Sequence, residues 1–406
     1  MFFKRKKYQP SGSLSSIAWR KLLVNPLANY SILVIFIFVF FAIGGYLLTP
    51  DSSPYANKQI LEISNQKPGF SVLMIEVCRN ETVESKNIIS KMLSGQRSQY
   101  REIPINNYHF NDEFVVYQLY GNKDDSLKLN IADVLFPIKG KTYFDKKSEI
   151  VKYTSVDGKE HTITISEARK IFENDNLRSR FYLLGTDQFG RDLISRLIIG
   201  SRVSLSVGFI SVAISLSVGI FLGSLAGFFG GRLDEIIMWF INVVWSIPTL
   251  LLVIAITFAL GKGFWQVFIA VGLTMWVEVA RVVRGQIMSI KEKEYIEAGF
   301  ALGYSNFRII KNHILPNVMS PVIVISAANF AAAILIEAGL SFLGIGVQPP
   351  MPSWGSMIKE YYSFIILDSA YLALAPGIAI IILVLAFMSL GNAMRDAFDV
   401  KELVKT

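Results

Sequence analysis

The 406-residue chain is 52% hydrophobic with a formal net charge of +8, and its mean hydropathy is +0.43. That balance argues against an ordinary soluble domain of this size and for a membrane protein, while basic residues that form no stripe with exposed aromatics argue against nucleic acid. One cysteine, Cys78, and three scattered histidines argue against an intramolecular disulfide and a Cys/His metal site.

Residues 1–27 form a tail with Lys4, Arg5, Lys6, Lys7, Arg20 and Lys21 and no acid. Residues 28–48 are uncharged and apolar, long enough at 1.5 Å per residue to cross a hydrocarbon core of about 30 Å. No small-residue cleavage site follows, so the run reads as a retained first span. Residues 49–180 nearly balance acids and bases and read as a soluble α+β domain. FSVLMIEV (70 to 77), EFVVYQLY (113 to 120) and HTITIS (161 to 166) alternate like strands, and a helix starts with Ser166 as N-cap and Glu167 in its first turn.

Residues 181–394 form a membrane core with five more spans, near 203–228, 236–260, 264–283, 318–340 and 370–391, giving six; residues 395–406 are a second tail. Basic residues in the first tail and in the loop 284–317, including Arg284, Lys291, Lys293, Arg308 and Lys311, make both cytoplasmic. An even number of spans then puts both termini inside and the 49–180 domain outside.

GTDQFGRD, with Gly185, Thr186, Asp187, Gln188, Gly190, Arg191 and Asp192, reads either as an outer docking point or as a turn and helix cap. Trp245 to Pro248 should kink the third span. Glu278, with Arg281 at i+3, reads as an intrahelical pair or a gate, and Glu337 as a carboxylate reaching interfacial water. AANFAAA (327 to 333) reads as a helix contact. Gly140-Lys141-Thr142 has Leu135 where a phosphate loop needs its first glycine, and no HExxH, CxxC or GxSxG occurs, so no active site is expected in this chain.

The stretch EYIEAGFALGYSNFRIIKNHILPN (294 to 317) sits between two spans. Its pattern predicts a helix over Glu294 to Leu302, a left-handed joint at Gly303, a cap at Ser305, and a second helix over Asn306 to Leu315 stopped by Pro316. Such a hairpin is either a docking element or an amphipathic surface loop.

Glu297, Ala298, Gly299, three residues, Gly303, nine residues, then His313, Ile314, Leu315 and Pro316 resemble the cytoplasmic loop motif of bacterial ABC importer permeases, Glu-Ala-Ala, three residues, Gly, nine residues, Ile, one residue, Leu-Pro. Gly299 replaces the second alanine and His313 the isoleucine; HILPN is similar to the form in the dipeptide, oligopeptide and nickel branch. FYLLGTDQFGRDLISRLIIGSRVSLSVG (181 to 208) and IEAGLSFLGIGVQPPMPSWGSMI (336 to 358) are similar to segments of that branch's core. The resemblance runs over residues 15–48 and 180–400, and residues 49–180 resemble no family.

The resemblance implies an all-α polytopic membrane protein with six transmembrane helices, type I ABC importer permease-like, of the oligopeptide permease C type, with an α+β extracytoplasmic domain inserted between helices 1 and 2. It implies a transporter subunit, not an enzyme, that moves dipeptides or oligopeptides by alternating access. The chain would bind no cofactor, ATP and Mg being used by partner ATPase subunits. In the loop, Glu297 would pair with a basic residue of an ATPase, Ala298 and Gly299 would allow close packing, Gly303 would make the bend, and His313, Leu315 and Pro316 would fix the return to the membrane. The implied partners are a second, different permease, two ATP-binding cassette subunits and an extracytoplasmic solute-binding protein, in the bacterial cytoplasmic (inner) membrane. Nickel or another small solute is the alternative cargo. A membrane sensor with an extracytoplasmic ligand domain is the reading from another class, and it calls for a cytoplasmic output domain.

Overall fold

A computed structural model describes residues 14–398 except 82, 84, 123, 124, 141 and 262. Lys4, Arg5, Lys6 and Lys7 of the first tail, residues 399–406 of the second, and Lys141 lie outside the described residues.

Helix α1 (Leu14–Val24) is separated from α2 (Pro26–Leu48) at Asn25, whose side chain accepts from the Leu27 amide at 2.9 Å. Pro26 occupies the first helical position, where a missing N–H costs nothing. Leu22 and Ala28 pack against Ala393 and Ala397 near the end of the last helix, so the first and last spans meet on the same side of the bundle.

The block expected over 49–180 divides in two. Residues 49–69 form an irregular strap with two short 3₁₀ turns, and the folded domain begins only afterwards. It comprises β1 (Phe70–Cys78), α3 (Ile88–Ser94), β2 (Tyr100–Asn111), β3 (Phe114–Leu119), β4 (Ser126–Asn130), α4 (Ile131–Leu135), β5 (Tyr143–Asp145), β6 (Ile150–Thr154), β7 (Glu160–Thr164), α5 (Ile165–Ile171) and β8 (Leu177–Tyr182). An antiparallel sheet runs β4-β3-β2-β1-β8, and a second runs β5-β6-β7. Strand alternation divides β1 between two cores: Val72 and Met74 face Ile60 and Ile63 of the strap, while Leu73, Ile75 and Val77 face Ile105, Val115 and Val134. The N-cap of α5 is Thr164, not Ser166: its hydroxyl accepts from the Glu167 amide at 3.4 Å, because the strand gives way to helix two residues earlier than the acid pattern suggests.

Phe70 and Tyr182 are paired neighbours in β1 and β8, so the domain leaves and rejoins the membrane core at adjacent points. Cα atoms of such pairs lie about 4.5–5.5 Å apart. Excising residues 71–181 and joining Phe70 to Tyr182 with a short Gly/Ser linker should therefore leave a chain that still accumulates in the membrane. Its absence on an immunoblot of membrane fractions would show that the domain is needed for folding.

The membrane core comprises α6 (Leu193–Phe229), α7 (Gly231–Trp245), α8 (Thr249–Leu260), α9 (Phe264–Lys291), α10 (Glu294–Ala301), α11 (Asn306–Ile309), α12 (Leu315–Phe342), α13 (Trp354–Tyr361) and α14 (Tyr371–Phe398). Among the described residues five helices are long and apolar enough to cross a membrane, or six if α7 and α8 make one broken span. The chain is thus a helical polytopic membrane protein carrying an α+β domain between its first and second spans.

Two spans differ from their expected form. Helix α6 starts at Leu193 because Asp192 caps it through the Ser195 amide at 3.0 Å, and its first turns carry Arg196 and Arg202, which hide them from a count of uncharged residues. The third span is not kinked but broken, with α7 and α8 at 94°. Pro248 lacks the N–H that would continue the ladder and disfavours helix at Ile247, so α7 ends at Trp245. Helices α6 and α9 cross in close contact. A Cβ on Gly219, Gly223 or Gly227 would lie within 2.8 Å of Val279, the Ala280 carbonyl or the Arg284 carbonyl, so this glycine ladder lets the backbones touch.

Candidate functional site

The loop between α9 and α12 is anchored by burial. Ile296 of α10, Ile309 of α11, Ile314 and Val318 are each at most 1% exposed and pack with Phe228, Val283 and Ile287 at the ends of α6 and α9. Full burial of each such side chain contributes about 1.5–3 kcal/mol, so the loop is held as part of the core.

The joint between its helices is a Schellman motif. Gly303 adopts φ +76°, its amide donates to the Phe300 carbonyl at 2.9 Å, and the Tyr304 amide donates to the Gly299 carbonyl at 3.1 Å. A side chain at 303 would be strained in that conformation. Gly299 is different, since a Cβ there would meet Tyr304 Cδ2 at 3.5 Å and Ile309 Cγ1 at 4.0 Å, ordinary contacts that an alanine satisfies. Tyr304 stacks on His313 with ring centroids 5.8 Å apart, and the Arg308 guanidinium lies 4.1 Å from the Tyr304 ring centroid.

Pro316 does not stop the second helix. A π-helical turn over Ile310–Ile314 leads directly into α12, and Asn306 to Phe342 forms one 37-residue helix. The widened turn precedes a residue without an N–H, so the chain passes Pro316 without ending. The loop's second arm and the fifth span are consequently one continuous helix. Opposite the anchoring face, Glu297, Ala298, Phe300, Leu302 and Phe307 are exposed, Leu302 and Phe307 at 71% and 72%. Among the described residues the Glu297 carboxylate has no ion pair or hydrogen bond.

At the other end of the bundle, GTDQFGRD is folded inward. Thr186 and Asp187 are fully buried and Arg191 and Asp192 are 5% exposed; only Gln188 and Phe189 of this run are partly open. Asp187 Oδ1 accepts from the Phe189 and Arg191 amides, while Oδ2 accepts from Arg191 Nε at 2.6 Å and from the Tyr361 hydroxyl at 2.7 Å. Arg191 and Arg196 share Glu360, at 2.5 and 3.2 Å. Burial pushes the Tyr361 phenol well above its ordinary value, so it remains a donor. The strap closes on this knot: the Thr186 amide donates to the Gln66 carbonyl at 3.0 Å, and the Ile60 amide to the Phe189 carbonyl at 3.0 Å. Gly190, at φ +69°, lies so close to the Ile60 carbonyl that no side chain fits. Glu337 does not reach interfacial water; it is fully buried and accepts from Ser341 Oγ at 2.6 Å beneath the chain leading to α13.

The loop therefore unites Glu297, Ala298, Gly299 and Gly303 on α10 and its cap, with His313, Leu315 and Pro316 one helix away. The knot unites Asp187, Arg191 and Asp192 with residues that sequence pattern did not single out. Glu360 and Tyr361 are some 170 positions from Asp187 and carry no local signal, whereas the glycine ladder of α6 was readable as small residues every fourth position.

Two family models match the chain: "binding-protein-dependent transport system inner membrane component" over residues 219–402, and "N-terminal TM domain of oligopeptide transport permease C" over residues 13–68. The second ends two residues before β1, so all of the strap but its last residue lies within the matched region and the domain outside it. A glutathione transport system permease protein of Pectobacterium atrosepticum is 39% identical over 58% of this chain and 79% of its own length. A dipeptide transport system permease protein of Alkalihalophilus pseudofirmus is 41% identical over 53% and 71%. Among solved structures, an inward-facing form of the MetNI methionine ABC transporter aligns with a TM-score of 0.42 at 19% identity, over 50% of this chain and 96% of that one. Matched over more than two thirds of these two relatives, the chain belongs to the family of binding-protein-dependent transport system inner membrane components, and is a permease subunit.

Proposed function

We propose that this permease carries peptides inward across a bacterial inner membrane, with both termini and the 284–317 loop on the cytoplasmic side. The observation that carries the coupling is the continuity of the loop's second arm with the fifth span, beside an exposed Glu297 that has no partner among the described residues. A partner seated on α10 and α11 moves the whole of α12, so closure of two ATPase subunits becomes rocking of the spans. The permease transmits this motion and hydrolyses no ATP; the ATPases bind ATP and Mg.

A single six-span half encloses no pathway, so a second, different permease completes it, and a solute-binding protein delivers cargo from outside. Peptide is favoured as cargo because the relatives named above are dipeptide and glutathione permeases. In cells lacking the chain, uptake of labelled trialanine should fall to background and return on complementation. Unchanged trialanine entry together with lost nickel uptake would transfer the reading to nickel.

A further inference from the structure

Glu278 is the fifteenth of the 28 residues of α9, and Asn329 the fifteenth of the 28 of α12. At 1.5 Å per residue Asn329 lies about 20 Å from the Phe342 end of the helix that begins at Asn306, and Glu278 about 20 Å from either end of α9, so both fall inside the spans. They line one cavity of about 180 Å³ together with Trp245 and Thr249, at the break between α7 and α8, and Thr274 and Ala332. Arg281 does not pair with Glu278. Its guanidinium lies 3.7 Å over the Trp245 ring and donates to Asn242 Oδ1 at 2.8 Å.

The cavity is thus left with two unspent groups. The Glu278 carboxylate is exposed and has no hydrogen bond or ion pair among the described residues. Asn329 is 3% exposed, and its Nδ2 is buried without a hydrogen-bond partner. An ionisable residue within a span faces a water-filled path or a partner, not lipid, and a broken span beside it places irregular backbone where it borders such a path. A buried amide donor without an acceptor is similarly uncommon unless a ligand or water supplies one.

We propose that this cavity is a transit subsite for a protonated amine, Glu278 accepting the ammonium and Asn329 Nδ2 donating to the neighbouring carbonyl. A terminal ammonium followed by a peptide carbonyl presents that pair of groups, so the identity of the amine as the amino end of a peptide rests on the peptide-permease reading. At about 30 Å³ per water the cavity holds roughly six waters, enough for the end of a peptide and not its whole length.

The test uses the complete transport complex with Cys78→Ser and a single new cysteine, Ala332→Cys or Thr249→Cys. The rates at which this chain is modified by ethylammonium and ethylsulfonate methanethiosulfonates are read by intact mass. A carboxylate in a low-dielectric cleft should favour the cationic reagent by roughly tenfold or more, and Glu278→Gln should bring the ratio close to one while Glu278→Asp retains it. Cysteines that neither reagent reaches overturn the proposal. A ratio near one with Glu278 in place, as when a basic residue of the second permease neutralises it, does the same. Trialanine, supplied with binding protein and ATP, should slow the cationic reaction; a sound ratio without such protection or uptake would keep the amine subsite and discard peptide as the cargo.

Discussion

Asp187→Ala is expected to destabilise the permease by about 3–5 kcal/mol, the range for removing one partner of a buried ion pair. The carboxylate is completely buried and accepts from two backbone amides, Arg191 Nε and the Tyr361 hydroxyl, with Arg196 Nε 3.8 Å away. Alanine removes the charge that two buried guanidiniums face and leaves them Glu360 as their one carboxylate among the described residues, with Asn57 Oδ1 accepting from Arg191. It also removes the acceptor that shapes the turn at residues 187–190. Because the turn seats the strap, α6 and α13 together, the loss should spread beyond the turn. The thermal midpoint of the detergent-solubilised complex should fall by at least about 5 °C, with reduced accumulation in membranes. Asp187→Asn retains the amide-facing oxygen and loses the charge, so its midpoint should lie between the two. An unchanged midpoint for the alanine variant would mean that the knot does not fix this end of the bundle.

Sequence pattern and structure agree where one local rule acts alone. The uncharged run at 28–48, the alternation of β1, the glycine at the helix joint and the cap at Ser305 are each settled within a few residues, and each forms where its pattern lies. They part where neighbours far along the chain decide. Pro316 carries the usual signal for an ending, yet burial of Ile309, Ile314 and Val318 on one face holds the helix together through a π turn. The strap is as polar as the domain that follows, and although Ile60 and Ile63 pack on β1, it is the strap's backbone hydrogen bonds to Thr186, Asp187 and Phe189 that tie it to the membrane core. Arg281 has a carboxylate three residues away, but the indole of Trp245, brought over by the break between α7 and α8, holds the guanidinium instead.

Glu297→Arg should abolish coupled transport while leaving the permease folded. The carboxylate is exposed on α10 and serves no interaction among the described residues, so its loss leaves no buried group unpaired. Ile296 and Ile309, which anchor the loop, face the other way and are untouched. What changes is the docking face. On the proposed coupling, an arginine beside Ala298 and Phe300 would face the basic group of the ATPase that a glutamate would attract, and reversing one charge of a buried interfacial pair costs about 2–5 kcal/mol or more, a factor of roughly 30 to several thousand in affinity. Membranes should therefore hold the variant at the normal level, the ATPase subunits should no longer copurify with it, and trialanine uptake should drop at least tenfold. An acidic residue substituted for the opposing basic residue of the ATPase should restore both. Normal uptake by Glu297→Arg would remove α10 from the coupling interface, and loss of the variant from membranes would assign Glu297 to folding.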